Sequence, residues 1–192
     1  MDYSVVGDSS QAVHLTLSKG ESIIIRKGSM IYITPSIEIK PIPDDPLFMG
    51  ITPKETPTIL GIGLTQDGKI SPVKIEPYDS IIVNRKNLLA YPENIDRSKE
   101  IEFTILDEKY RLLFISSVFR ENTIFVFYKG DVIQLELTEG QELLIDPENF
   151  VMAEPSIRIS YIDGVRFTLL GEEPRLIKLI GPGRAWLQTI TH

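Results

Sequence analysis

Cysteine is absent from the 192 residues, which removes disulfides, thiolate nucleophiles and every thiolate metal site and fits a reducing compartment. Histidine is scarce: His14 and His192 are the two in the chain, too few for a multi-histidine metal centre within one copy. No apolar run approaches the roughly 18 residues that a spanning helix needs. The richest stretches, Arg111 to Phe119 and Thr123 to Tyr128, are strand-length and rich in β-branched and aromatic residues. The opening residues MDYSVVGDSSQ carry no basic region followed by an apolar stretch, so they do not read as a secretory signal, and the expected location is cytoplasmic. Positive charge is also in deficit. With 20 Lys and Arg against 27 Asp and Glu, the net charge is −7, which repels phosphate backbones on average, and no dense basic cluster reverses it. Nucleic acid is not an expected partner.

Catalytic signatures are missing in the same way. There is no Gly-x-Ser-x-Gly elbow and no serine placed by sequence beside a base. Gly63 to Lys69, GLTQDGK, matches the first seven positions of a phosphate-binding loop. Its eighth position is Ile70 where a Ser or Thr should hold magnesium, and Ser71-Pro72 stands where a helix should start, so an Asp67-Gly68 hairpin turn is the better reading. Asp44-Asp45 and Glu172-Glu173 are adjacent carboxylate pairs, but neighbours diverge on a strand, and solvated turns explain them. The chain is therefore expected to be no enzyme, with no catalytic, cofactor-binding or metal-ligating residues and no cofactor.

What the chain does have is repetition. The stretch Val13 to Ile39 aligns without a gap on Ile133 to Ile159, so that Leu15, Leu17, Gly20, Ile25, Pro35, Ser36, Ile37 and Ile39 recur 120 residues later. A weaker copy lies 58 residues after the first, where Ile23, Ile24 and Ile25 become Ile81, Ile82 and Val83, and Tyr78 replaces the turn glycine. A fixed period of this kind reports architecture. Val13, Leu15 and Leu17 alternate with polar residues, as do Ile133, Leu135 and Leu137, the pattern of half-buried strands. Lys19-Gly20 and Glu139-Gly140 supply the backbone freedom that a tight hairpin needs. The following strands, Ser22 to Ile25 and Glu142 to Ile145, are expected in the core, covered on both faces. Lys27-Gly28-Ser29, Lys86-Asn87 and Pro147-Glu148-Asn149 suit a second turn. Lys40 to Pro57, with five prolines, reads as an ordered surface loop or edge segment. Pro182-Gly183 fits the centre of a type II turn pairing Leu176 to Ile180 with Ala185 to Ile190, and Trp186 beside it reads as a core or interface anchor.

These readings define an all-β chain of three tandem antiparallel β-sandwich repeats, residues 1–70, 71–130 and 131–192, packed as one compact unit. The C-terminal run with GDVIQLELTEGQELLIDPENFVMAEPSI, LLGEE and GPGRAWLQT resembles the mitochondrial biogenesis family named for altered inheritance of mitochondria. The resemblance implies a fold of the trp RNA-binding attenuation protein type, a short double-stranded β-helix whose units stand side by side in rings. It supplies no catalytic residues, and RNA binding does not follow from fold alone. The expected role is a self-assembling structural or interaction scaffold, with a small-ligand-binding regulatory module as the alternative. A homo-oligomer is expected, a trimer by analogy with the rings, joined through an edge strand taken to be Ala185 to Ile190.

Overall fold

The computed structural model describes residues 1–8, 10–43, 45–55, 57–64, 67–105, 108–161 and 176–191. All regular structure among them is β. The strands in chain order are β1 (Asp2–Val6), β2 (Ala12–Leu17), β3 (Ile23–Arg26), β4 (Met30–Ile33), β5 (Ile37–Pro41), β6 (Phe48–Pro53) and β7 (Thr58–Gly63). There follow β8 (Lys69–Ile75), β9 (Ser80–Asn84), β10 (Leu88–Pro92), β11 (Asp96–Ile105), β12 (Glu108–Ser116) and β13 (Asn122–Tyr128). The last are β14 (Val132–Leu137), β15 (Glu142–Ile145), β16 (Phe150–Ala153), β17 (Arg158–Tyr161), β18 (Ile177–Ile180) and β19 (Gly183–Gln188).

The described strands form two compact units, and residues 71–130 contribute to both. The first unit has a four-stranded sheet, β1-β2-β7-β4, and a six-stranded sheet, β5-β6-β3-β10-β13-β8. Alternate residues of β2, Val13, Leu15 and Leu17, meet Ile23, Ile25, Ile51, Leu60, Ile62 and Phe125 in one core. Burying each such side chain contributes about 1.5 to 3 kcal/mol, which is why the period-2 pattern fixes which face of β2 turns inward. The second unit has a six-stranded sheet, β11-β12-β9-β16-β19-β14, and a three-stranded one, β15-β18-β17. Ile82, Tyr110, Leu112, Phe150, Ile177, Leu179 and Ala185 form its core.

Two features recur at the spacings visible in the sequence. The Glu21, Asp79 and Gln141 amides donate to the Ser18, Glu76 and Thr138 carbonyls, at 3.1, 3.0 and 3.0 Å, and the first and third of these turns pass the chain from one sheet to another, so Lys19-Gly20 and Glu139-Gly140 close no hairpin. Register also slips in three ladders at matching positions, between Met30 and Tyr32 on β4, Leu88 and Ala90 on β10, and Phe150 and Met152 on β16.

Four local expectations are corrected. The Lys40 to Pro57 segment is not all loop or edge: β6 lies between β5 and β3 and buries Phe48 and Ile51, its prolines falling at the ends, where no ladder donor is lost. Pro182-Gly183 does not centre a type II hairpin. The Gly181–Pro182 peptide is cis, and the chain changes sheets there, β18 pairing with β15 and β17 and β19 with β14 and β16. Ala185 to Ile190 is therefore no edge strand, since β19 runs between β14 and β16. Finally, β15 is not covered on both faces as β3 is; it ends its sheet and leaves Glu142 and Leu144 exposed.

Candidate functional site

The residues singled out in the sequence are not brought together. His14 stands on the outer face of β2, its Nδ1 2.7 Å from the Tyr32 hydroxyl of β4. The contact spans β7, whose Gly61 lies under the Tyr32 ring; a Cβ there would overlap it, so the glycine permits the close approach. The stretch resembling a phosphate loop runs from the end of β7 to the start of β8; Lys69 opens a strand instead of a helix, and because β7 and β8 lie in different sheets the expected Asp67-Gly68 hairpin is not formed. Asp45 is buried rather than solvated, in a turn where the Phe48 amide donates to its carbonyl at 3.2 Å. Asp44, Glu172, Glu173 and His192 lie outside the described residues. Trp186 is half-buried on β19, donating from Nε1 to Gln134 Oε1 at 3.1 Å, with the Arg184 guanidinium 5.7 Å from its ring centre.

Sequence reasoning missed a polar cluster in the second unit. Lys86 Nζ lies 2.7 Å from both Glu108 and Glu148 and 4.9 Å from the centre of the Tyr110 ring. The Tyr110 hydroxyl donates to the second Glu108 oxygen at 3.0 Å. Burial opposes the Lys86 charge, but the two carboxylates outweigh it and hold its pKa above the ordinary lysine value. Burial, reinforced by the same carboxylates, pushes the Tyr110 hydroxyl well above the usual phenol range. The lysine thus stays charged and the phenol neutral at physiological pH, the arrangement of a structural ion pair and not of a poised acid or base. No sequence spacing announces this cluster, because Lys86 is 22 and 62 residues from its partners.

The first unit holds a cleft of about 180 Å³ lined by residues including Leu17, Glu21, Ser22, Arg120, Asn122 and Thr123. Burial raises the Glu21 pKa, but the Met1 amino group and the Ser18 amide outweigh it, so the carboxyl sits below its ordinary value. Among the described residues, no group of three or more His, Asp or Glu side chains is placed to hold a metal. No described helix is long and apolar enough to cross a membrane.

The most unusual surface is apolar. Met30, Ile31 and Tyr32 follow one another on β4, at the end of its sheet, with Ile31 60% and Tyr32 47% exposed. Their counterparts 58 residues on, Leu88, Leu89 and Ala90, are buried between β3 and β13. Those 120 residues on, Phe150, Val151 and Met152, are buried between β9 and β19. In each case a second neighbouring strand covers what β4 leaves open.

No curated protein matches the chain. Its fold is similar to the crystal structure of protein SPYM3_0169 from Streptococcus pyogenes, with a TM-score of 0.82 and 14% sequence identity over 99% of this chain and 94% of that one. A family model described as mitochondrial biogenesis AIM24 matches residues 3–190. With nearly the whole chain covered, this protein belongs to the mitochondrial biogenesis AIM24 family.

Proposed function

We propose that this protein is a non-enzymatic scaffold that works by assembling with copies of itself. The observation that carries this reading is the exposed apolar strand β4, buried at both equivalent positions in the same chain. A free strand edge is a liability that proteins either blunt or use. The reading also takes residues 1–70, 71–130 and 131–192 as three repeats of the trp RNA-binding attenuation protein type. The three matching register slips and the three matching turns support it. So does the pairing scheme: β2 and β4 flank β7, β8 and β10 flank β13, and β14 and β16 flank β19. Light scattering on the protein leaving a gel-filtration column is expected to give about three chain masses, the ring analogy supplying the number. A concentration-independent monomer overturns assembly; a dimer retains it and removes the trimer.

The cleft in the first unit favours a second reading, a small-ligand-binding regulatory module. Its volume of about 180 Å³ falls below the roughly 300 to 1,000 Å³ of ordinary ligand sites, which ranks it below assembly. A metabolite screen by thermal shift separates the two, since ligand at a hundred times its Kd stabilises by about 2.7 kcal/mol.

A further inference from the structure

We infer that β15 of one copy pairs antiparallel with β4 of the next, in a register fixed by two ladders already present within each chain. The inference rests on the assembly reading above and names the surface and the partner. In the first unit β3 pairs with β10, Ile25 opposite Ala90 and Ile24 opposite Tyr91. In the second, β9 pairs with β16, Val83 opposite Met152 and Ile82 opposite Ala153. The sequence repeat carries Ile25 to Val83 and on to Ile145, and Tyr32 to Ala90 and on to Met152 along the bulged strands. The missing member of the series is Ile145 opposite Tyr32, which sets Leu144 opposite Ile33.

Both strands are available for it. Among the described residues each ends its sheet, with a neighbouring strand on one side only, and an edge of this kind offers its backbone N–H and C=O groups for pairing. Leu144 is 40% exposed, whereas its counterparts Ile24 and Ile82 are buried. Joining the two edges gives the order β17-β18-β15-β4-β7-β2-β1. This continues the pattern of β5-β6-β3-β10-β13-β8 and of β11-β12-β9-β16-β19-β14, with β1 added at the end. Chemistry singles out β4 as well. Among the other described strands that end a sheet, β1, β5, β8, β11, β14 and β17 each carry at least one charged residue, the residue type that discourages edge pairing, whereas the single charge of β15, Glu142, falls past the end of β4 in this register. The β4 sequence Met-Ile-Tyr-Ile carries none. The occupant is a second copy of this chain because β15 already has the pairing register and the apolar residues that β4 lacks a partner for. The contact joins unlike surfaces, head to tail.

The absence of native cysteine makes disulfide mapping clean. Directly opposed residues of an antiparallel pair have Cα atoms about 4.5 to 5.5 Å apart, within disulfide range. One preparation carries Ile33→Cys and another Leu144→Cys. Mixed and oxidised, they are expected to give a reductant-sensitive linked dimer, while neither alone gives one. Leu143→Cys in place of Leu144→Cys puts the thiol on the other face, and linkage should fall at least tenfold. An oligomer by light scattering without this linkage overturns the ladder and leaves assembly standing; a monomer overturns both. A chain carrying both substitutions that closes only on itself also overturns it. Amide exchange of the unsubstituted protein guards against a folding defect in the variants. Protection at 30–33 and 142–145 is expected to rise at least tenfold on concentration, and unchanged protection overturns the ladder.

Discussion

Tyr78 holds φ at +65° in the turn position where Gly20, 58 residues earlier, holds +82°. Gly140 repeats it at +73°. A bulky residue in the left-handed region is strained by about 1 to 3 kcal/mol, and Tyr78 recovers little of this by packing, since its side chain is 82% exposed. Tyr78→Gly is expected to stabilise the first unit by about 0.5 to 1 kcal/mol after the added freedom of the unfolded chain is subtracted. Urea midpoints at constant m-value check it; a lower midpoint for the glycine variant contradicts the strain.

Gly183 is the opposite case. Its φ is +137°, and a Cβ there would overlap Ser156 Oγ and come within 3.2 Å of Ile157 Cγ1. Gly183→Val is expected to destabilise by about 1 to 3 kcal/mol from backbone strain, with the overlap adding to it. Ser156→Gly in the same chain should recover part of the loss, because it removes the overlapped atom but not the strain. Thermal melts of the single and double variants measure both parts.

The Lys86 cluster predicts a decline in stability on the alkaline side. Lys86 and Tyr110 both have folded pKa values above their ordinary ones. Their contribution is therefore fully present below about pH 10, near the unfolded values, and is lost as pH rises through the folded values. Denaturant midpoints from pH 7 to 11 should fall less steeply in Tyr110→Phe than in the parent protein. Lys86→Met should lower stability by about 1 to 2 kcal/mol at pH 7, an ion-pair loss discounted for partial exposure, by removing the cation that Glu108 and Glu148 share. That loss should shrink at pH 4 as the carboxylates take up protons.

Gly61→Ala tests the contact across β7. The added methyl overlaps the Tyr32 ring and should break its hydrogen bond to His14. Because the ring is half exposed and can swing outward, the loss should stay near 1 kcal/mol. The His14 ring resonances, followed by NMR, should move toward those of Tyr32→Phe. Unchanged resonances would mean that the ring accommodates the methyl in place.

Much of this was legible in the chain because both recurring signals are local. Alternation at Val13, Leu15 and Leu17 reports a face, and Gly20 with Gly140 reports a turn; β2 and β14 fall 120 residues apart as the alignment requires. Neighbours along a sheet are not local. The uncharged run Ala185 to Ile190 looks like an edge, and only pairing with β14 and β16 makes it interior. Conversely, Glu142 to Ile145 looks as apolar as Ile23 to Ile25, yet the latter lies between β6 and β10 while the former ends a sheet. The Lys86, Glu108 and Glu148 cluster was invisible for the same reason: the turn after β9, the first residue of β12 and the turn between β15 and β16 bring it together, and no periodicity connects them.

The edges of β4 and β15 differ in sequence and in neighbours, so the two surfaces through which copies would join are unlike. A substitution that spoils the β4 edge alone, such as Ile33→Pro, removes a backbone donor there and leaves the β15 edge intact. Under the proposed pairing such a chain still docks through β15 and then stops the series. A minority of these chains would cap assemblies built from the parent protein, so the defect would be genetically dominant, whereas a chain spoiled at both edges would simply be left out and behave as recessive.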